Sequence, residues 1–316
     1  MIGQVLTTLP LLLLLAGFAP SGPVAAHKGT VNVAYAASLQ ALNEGTIGPG
    51  FTRKTGYSYQ GQGMASGEIA NEIKGKIITP DVVEMADPAA NRQLMGKSNG
   101  SYVKWFVDFA RTRLVVGYDP KGKFARLFRE VNHHRLAWYK PLLTKGLRFG
   151  RTDPQIDPKG YRVIWAFRLA QKLFHLKNFE RRVLGPVENA GQVYPENVLV
   201  SRLQTGEIDA GIFYLSEAKA AGIPYINLPH KIDLGERKFA KIYATQHFTT
   251  DKGQSVTGAP ILYTITIPRT VKDKAGAIAF VKFVLSKRAA KASARLGLLN
   301  TKHTIGGDRK AVPPGV

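Results

Sequence analysis

The most informative stretch for the architecture is Arg148-Phe-Gly-Arg-Thr-Asp-Pro-Gln-Ile-Asp-Pro-Lys-Gly-Tyr-Arg162, where two Asp-Pro steps precede a long helical pattern. Each proline disfavours helical angles at the aspartate before it, so Asp153 and Asp157 stay extended with unpaired amide groups. A helix is predicted from about Tyr161, because apolar residues then recur every three to four positions. A stiff polar loop before a helix start favours an anion, although a tight turn closed by an Asp cap fits the same residues.

The size and the N-terminus predict an exported chain with two domains. With 316 residues and 44% apolar content, the chain can form two cores of ordinary domain size. The apolar run over residues 9–19 is too short to span a bilayer, and the small residues Val24-Ala-Ala26 follow it. We therefore expect residues 1–26 to be a signal peptide, although they lack Lys and Arg, and the mature chain to lie in the periplasm or extracellular space.

Cysteine content and charge exclude several classes of protein. The chain has no cysteine, which excludes a lipoprotein attachment site, a disulfide framework and thiolate metal sites. Its 44 Lys and Arg residues against 22 Asp and Glu residues give a net charge of +22, which concentrates small anions near the surface. The basic residues are spread along the chain without a nucleic-acid-binding motif, so we expect no nucleic-acid partner.

Strands alternate with helices along the chain, which predicts the α/β class with parallel sheets covered on both sides. The first strand ends at Ser38, and a glycine-rich turn over residues 61–67 is predicted to place Ser66 at the N-cap of the next helix. In such sheets a ligand lies at the carboxyl ends of the strands, where Ser38, Ser66, Asp157 and Tyr214 are all expected.

The rest of the pattern marks two hinges and an irregular end. Pro/Gly breaks at Asp119-Pro-Lys-Gly and a β-branched strand over residues 259–268 are the hinge candidates. An amphipathic helix covers residues 277–285, and the tail from Gly306 to Val316 is predicted to be disordered. The adjacent His133-His134 point to different sides and indicate no metal site.

At these positions the chain resembles the periplasmic substrate-binding proteins of molybdate/tungstate ABC transporters, in particular the tungstate-binding branch also found in archaea. The similarity runs in order over nearly the whole mature chain. The motifs that carry it are Ala37-Ser-Leu39, Ala65-Ser-Gly-Glu-Ile-Ala-Asn-Glu-Ile73, Pro80-Asp-Val-Val-Glu-Met-Ala-Asp87, Trp138-Tyr139, Phe149-Gly-Arg-Thr-Asp-Pro-Gln-Ile-Asp-Pro-Lys-Gly-Tyr-Arg162, Thr205-Gly-Glu-Ile-Asp-Ala-Gly-Ile-Phe-Tyr214 and Pro260-Ile-Leu-Tyr-Thr-Ile-Thr-Ile-Pro268.

The resemblance implies a two-lobed periplasmic-binding-protein fold of type II, a Venus flytrap with two hinge crossovers. Lobe I is expected to comprise residues 27–117 and 262–316, and lobe II residues 118–261. The implied partners are a molybdate or tungstate oxyanion and an ABC transporter permease, with a monomeric chain, no cofactor and no catalysis.

The resemblance also implies the ligands of the anion. Ser38 and Ser66 match two hydroxyl ligands of the family, Asp157 matches a position that supplies a backbone N–H in one branch and a carboxylate in the other, and Tyr214 matches a hydroxyl ligand. Phe213 stands where the tungstate branch has a glutamate that completes a six-coordinate metal centre. Hydroxyl and N–H donors suit an intact tetrahedral anion, which we therefore expect; the metal would be bonded only if Asp157 coordinates it directly.

Two alternatives stay open from the sequence. The first is a binding protein for sulfate or another oxyanion. The second is an exported enzyme that acts on a small phosphorylated or sulfated substrate, with Asp153, Asp157 or Glu217 as its general base.

Overall fold

The computed structural model describes residues 28–316, so the predicted signal peptide over residues 1–26 lies outside the described residues. Within them, every helix is too short or too polar to cross a bilayer. The strands are β1 (Thr30–Ala36), β2 (Ser58–Met64), β3 (Val82–Met85), β4 (Trp105–Arg111), β5 (Leu114–Tyr118), β6 (Phe149–Thr152), β7 (Val193–Tyr194), β8 (Ala210–Tyr214), β9 (Tyr225–Asn227), β10 (His247–Thr249), β11 (Ser255–Thr257), β12 (Leu262–Thr266) and β13 (Ile305–Gly307). The α-helices are α1 (Gln40–Leu42), α2 (Gly48–Thr55), α3 (Ser66–Lys74), α4 (Pro88–Arg92), α5 (Ala125–Asn132), α6 (Pro158–Leu173), α7 (Phe179–Leu184), α8 (Glu196–Gln204), α9 (Leu215–Ala220), α10 (Ala240–Tyr243), α11 (Lys274–Val284) and α12 (Lys287–Arg295).

The strands form two large sheets and a separate hairpin, which confirms the predicted α/β class. One sheet has six strands in the order β13-β4-β12-β3-β1-β2, and the other has five in the order β7-β6-β8-β5-β9. Strand β1 runs parallel to β2 and β3, and β6 runs parallel to β7 and β8. Parallel neighbours need crossover helices, which here include α2, α3 and α8.

The chain crosses between the sheets twice, and each crossing delivers an antiparallel strand. Strand β5 inserts beside β8 and β9 of the five-stranded sheet, and β12 inserts beside β3 and β4 of the other. The first crossing therefore lies at Thr112-Arg113, before β5 and not after it, so the predicted boundary between residues 117 and 118 is displaced. Below, lobe I means residues 28–111 and 262–316, and lobe II means residues 114–257.

Helix α6 is the central element of lobe II. Every residue from Pro158 to Phe167 is buried, including the large side chains of Trp165 and Phe167. Burying each of these aromatic side chains contributes roughly 1.5–3 kcal/mol or more, so the start of this helix is held firmly in place.

Two sequence predictions are wrong because distant strands override local signals. The first two residues of the tail predicted to be disordered, Gly306 and Gly307, belong to β13, which pairs with β4 through Ile305 opposite Val107 and Gly307 opposite Trp105. The glycine-rich residues 61–64 are not a turn but the end of β2, where Gly63 leaves room for the ring of Tyr35.

Candidate functional site

The register of the lobe I sheet brings three polar side chains to one edge. Ala36 pairs with Met64 across β1 and β2, and Tyr35 of β1 also pairs with Glu84 of β3. Ser38, Ser66 and Asp87 follow these strands at equivalent distances from the paired residues. The three side chains are buried and lie at the carboxyl edge of neighbouring parallel strands.

The two predicted serines differ in what they bind. Ser66 is the first residue of α3, since Ala65 and not Ser66 occupies the N-cap position. The Ser66 hydroxyl oxygen accepts a hydrogen bond from the amide of Ala86 at 3.0 Å, which leaves its O–H free to donate. The Ser38 hydroxyl is buried and has no hydrogen-bond partner within residues 28–316. Both hydroxyl protons therefore remain available to a ligand.

Asp157 opens α6 from lobe II, as its N-cap. Its Oδ1 accepts a hydrogen bond from the amide of Lys159 at 2.8 Å, which offsets an unpaired donor of the first helical turn. The Asp157 amide itself donates to the carbonyl of Asp153 at 2.9 Å. A role for Asp157 through its own backbone N–H is therefore not supported. Its Oδ2 is buried and has no partner among the described residues.

Tyr214 ends β8 and is fully buried. Its hydroxyl oxygen accepts a hydrogen bond from Nη1 of Arg162 at 2.6 Å, and burial raises its pKa well above the usual value. The hydroxyl therefore stays protonated, and its own proton can be donated to another acceptor. The ring stands edge-on to Tyr263 of β12, with ring centroids 6.1 Å apart.

Three contacts show that the lobes are closed on each other. Nη2 of Arg162 in lobe II donates to Oδ2 of Asp87 in lobe I at 2.9 Å, and the hydroxyl of Tyr161 donates to the same oxygen at 2.7 Å. The amide of Gly67 in lobe I donates to the carbonyl of Ile156 at 2.9 Å. A side chain at position 67 would prevent this approach, since a Cβ there would lie 2.5 Å from the Ile156 carbonyl oxygen.

A group of hydroxyls that the sequence analysis missed lies between Ser38 and Tyr214. The hydroxyl of Tyr263 is buried beside those of Ser38 and Ser216; burial raises its pKa, and these two neighbours act in the opposite direction. None of the three hydroxyls makes a hydrogen bond of normal geometry within the described chain. Tyr263 lies in one of the motifs quoted above, but only the return crossing into lobe I brings it to the site.

A buried ion-pair network supports the lobe II side. Nζ of Lys159 lies 2.6 Å from Oε1 of Glu217 and 3.0 Å from Oε1 of Glu196, and its side chain is only 1% exposed. Burial acts to lower the pKa of Lys159, but the two carboxylates hold it well above its usual value. Burial, followed by the charge of Asp157, raises the pKa of Glu196 to about 8. Lys159 therefore offsets part of the negative charge that Glu196 and Glu217 place beside the cleft.

Phe213 does not face the cleft. Successive residues of a strand point to opposite faces, and the Phe213 ring packs with Val115, Leu199 and Ile223 on the side away from Tyr214. A glutamate at position 213 would point into this apolar cluster and away from the cleft. Phe213 therefore gives no reason to expect a tetrahedral anion over a six-coordinate metal centre. Within residues 28–316 no three His, Cys, Asp and Glu side chains are grouped to hold a metal ion.

The four predicted residues are thus distributed around one buried region. Its donors without a partner within residues 28–316 include the hydroxyls of Ser38, Ser216 and Tyr263 and Nε of Arg162, and the cations Lys159 and Arg162 are paired with carboxylates. Neutral hydroxyl donors from both lobes suit the oxygens of a small anion, and a site that both lobes contribute to is completed only on closure.

Comparisons with known proteins agree with this architecture. A protein of Haloferax volcanii, whose name assigns it provisionally to molybdenum binding in an ABC transporter, is 32% identical over 239 residues, covering 75% of this chain and 72% of its own. The molybdate/tungstate-binding protein of Pyrococcus abyssi is 26% identical over 251 residues, covering 73% of this chain and 71% of its own.

Among solved structures, the periplasmic molybdate-binding protein of Azotobacter vinelandii superposes with a TM-score of 0.59 at 18% identity, covering 86% of this chain and 100% of that one. This likeness confirms the predicted two-lobed periplasmic-binding-protein fold. The family model for bacterial extracellular solute-binding proteins matches residues 31–299. This chain therefore belongs to the family of bacterial extracellular solute-binding proteins.

Proposed function

We propose that this chain captures a tetrahedral oxyanion, molybdate or tungstate, between its lobes and delivers it to the permease of an ABC importer. The observation that carries the proposal is the convergence of buried hydroxyls from both lobes, those of Ser38, Ser216 and Tyr263, which have no partner within the described residues. Ser66 and Tyr214 add two hydroxyls whose protons remain available. The names of the two relatives support this choice of ligand.

Hydroxyl donors fit this ligand for a physical reason. A dianion that keeps its four oxygens needs hydrogen-bond donors at each of them, and hydroxyls supply donors without the desolvation of an unpaired cation. The cations near the site are already neutralised, because Arg162 is paired with Asp87 and Lys159 with Glu217. Selectivity then depends on the size of the anion and on its protonation state.

The role of Asp157 distinguishes two modes of binding: an intact tetrahedral oxyanion, or a metal atom that the Asp157 carboxylate bonds directly. A bare, ionised carboxylate oxygen beside a dianion is repulsive unless it bonds the metal atom of the ligand. We propose that Asp157 positions the start of α6 through its Oδ1, with the oxyanion intact. X-ray absorption of the tungstate-loaded protein tests this: four short metal–oxygen distances support an intact anion, and six-fold coordination would show that Asp157 Oδ2 is a ligand.

The proposed function is tested by calorimetric titration of the mature protein with molybdate, tungstate, sulfate and phosphate in parallel. We expect molybdate or tungstate to bind most tightly, and Ser38→Ala to weaken that binding. Preferential binding of sulfate would assign the chain to the first alternative. The absence of binding to all four anions would refute the proposal.

Of the three candidate bases of an exported enzyme, Asp157 keeps one carboxylate oxygen without a partner within the described residues, and this oxygen would repel the anionic substrate that this alternative requires. Both carboxylate oxygens of Glu217 are engaged, by Lys159 and by the amide of Tyr214. Asp153 Oδ1 accepts from the amide of Gln155. We therefore propose a non-catalytic, monomeric periplasmic protein, with light scattering as the test of its oligomeric state.

A further inference from the structure

A groove of about 660 Å³ lies outside the candidate oxyanion site and is formed by both lobes. Its walls come from α3 and α4 of lobe I and from the β10–β11 hairpin region of lobe II, with Gly67 and Ile156 between them. Ser38, Ser66, Asp157 and Tyr214 are not among its lining residues. The Gly67 amide donates to the Ile156 carbonyl at the edge of the groove, next in sequence to Ser66 and Asp157, so the two sites are adjacent but share none of these four side chains.

The groove carries positive charge without compensation. Lys74 and Arg92 line it from lobe I, Lys252 lines it from lobe II, and no lining residue is acidic. All three side chains are exposed, and none is in an ion pair within residues 28–316. Closing the lobes moves Lys252 towards the other two cations, and this like-charge approach is unfavourable unless an anion lies between them.

Amide groups complete the set of donors. Asn71, Gln93 and Gln254 line the same groove, and their side chains make no hydrogen bond within the described chain. A ligand with several anionic oxygens could accept from these amides and from the three cations together. The volume is in the range of about 300–1,000 Å³ that is typical of small-molecule sites, so a concave groove of this size suits a small organic ligand.

We propose that the groove is a second anion site, which takes a small organic polyanion with two or more carboxylate or phosphate groups and binds it only when the lobes are closed. The inference rests on the proposed function in one respect, since the oxyanion is used to close the lobes. A ligand that binds only the closed state stabilises that state, so the polyanion and the oxyanion must raise each other's affinity by the same factor.

The experiment measures this coupling by calorimetry on the mature protein. Tungstate is titrated in the presence and absence of tricarballylate, which lacks the hydroxyl through which citrate chelates metals, and separately of propane-1,3-diyl bisphosphate. We expect one probe to raise tungstate affinity about fivefold or more, and tungstate to raise the affinity for that probe equally. The probe that acts identifies carboxylate or phosphate as the preferred group. The coupling should decrease with added salt, because the groove is open to solvent.

Charge reversal provides the control. Arg92→Glu with Lys252→Glu should abolish the coupling, measured within this variant as the ratio of its tungstate affinities with and without probe. Its affinity without probe is not expected to equal the parent's, because the like-charge repulsion on closure is removed. Lys177→Glu with Lys291→Glu changes the net charge equally, at exposed lysines outside the groove, and should preserve the coupling. Coupling that survives the groove variant, or is absent with both probes at millimolar concentration, overturns the proposal. If tungstate does not bind at all, the proposed function fails, and the groove is then judged by direct titration of each probe into the parent and the groove variant. If each probe binds the parent and the groove variant equally, or binds neither protein, the proposal of a second anion site is overturned.

Discussion

The two sides of the cleft are built in different ways. Lobe I contributes hydroxyls from strand ends, and Ser38 there has no partner within the described residues. Lobe II contributes a buried network in which Lys159 and Arg162, both in the first half of α6, are paired with carboxylates from other elements. Cations near a helix N-terminus oppose the helix dipole, so these two depend on their partners. We infer that changes on the lobe I side mainly affect ligand binding, whereas changes on the lobe II side, which also supplies the hydroxyls of Tyr214 and Ser216, affect folding stability as well.

The largest effect is expected from breaking the lobe II network. Lys159→Met leaves Glu196 and Glu217 buried without their cation, which should lower the free energy of unfolding by about 3–5 kcal/mol. Urea denaturation of the ligand-free protein measures this. Lys172→Met, at an exposed position of the same helix, should change stability by less than about 1 kcal/mol. If Lys159→Met and Lys172→Met are equally stable, the buried network of lobe II does not contribute to folding stability as inferred.

A smaller effect is expected at the contact between the lobes. Gly67→Ala places a Cβ 2.5 Å from the carbonyl oxygen of Ile156, so closure should cost about 1–3 kcal/mol, seen as weaker oxyanion affinity. Stability without ligand should be unchanged, because open lobes do not make this contact. Gly45→Ala is the matched control, since no atom lies within 4 Å of a Cβ there. Full affinity in Gly67→Ala would show that the lobes close differently.

The two serines sharpen the comparison within lobe I. Ser38→Ala should weaken oxyanion binding by about 1–2 kcal/mol and leave stability unchanged, because the hydroxyl has no partner within residues 28–316. Ser66→Ala should weaken binding similarly and also lower stability by about 1 kcal/mol, because the Ala86 amide loses its acceptor. Calorimetry and urea denaturation separate the two quantities. Ser98→Ala, at an exposed serine, is the control, and unchanged affinity in both test variants would exclude these hydroxyls from the site.

The last expected effect is a pH dependence of the stability of lobe I, spread over more than two pH units. Burial raises the pKa of Glu84 from 4.5 to about 7, so the folded protein retains a proton that the unfolded chain has released. Stability should therefore fall as pH rises from 4.5 to about 7, by at most about 1.4 kcal/mol per pH unit. Glu84→Gln should reduce the slope by this contribution and still accept from Nδ2 of Asn43, while Asp108 and Glu196, whose pKa values burial also raises, keep their own contributions. Glu72→Gln, at a partly exposed position of α3, should keep the full slope. An unchanged slope in Glu84→Gln would contradict the assignment.

Local sequence patterns predicted the fold class and pointed to the four candidate site residues. That these four residues bind the ligand stays a prediction. Strand-to-helix transitions headed by Ser38 and by the Asp-Pro steps are short-range signals, and the register of parallel strands then places them at one edge. The same local reasoning failed where pairing is long-range. Residues 305–307 have the composition of a loop, but they pair with β4 because that strand otherwise forms an open sheet edge.

Sequence by itself determined the α/β class and the serine and aspartate side chains that follow the strands, because each depends on residues a few positions apart. The helix starts were displaced, since α6 begins at Pro158 instead of Tyr161 and Ala65 instead of Ser66 caps α3. Only the tertiary structure decided which hydroxyls and charges meet. Tyr263 reaches Ser38 through the return crossing, and Asp87 pairs with Arg162 across the two lobes. These partners are far apart in the chain, and the energy of a buried hydroxyl or charge depends on what surrounds it, which no local pattern encodes.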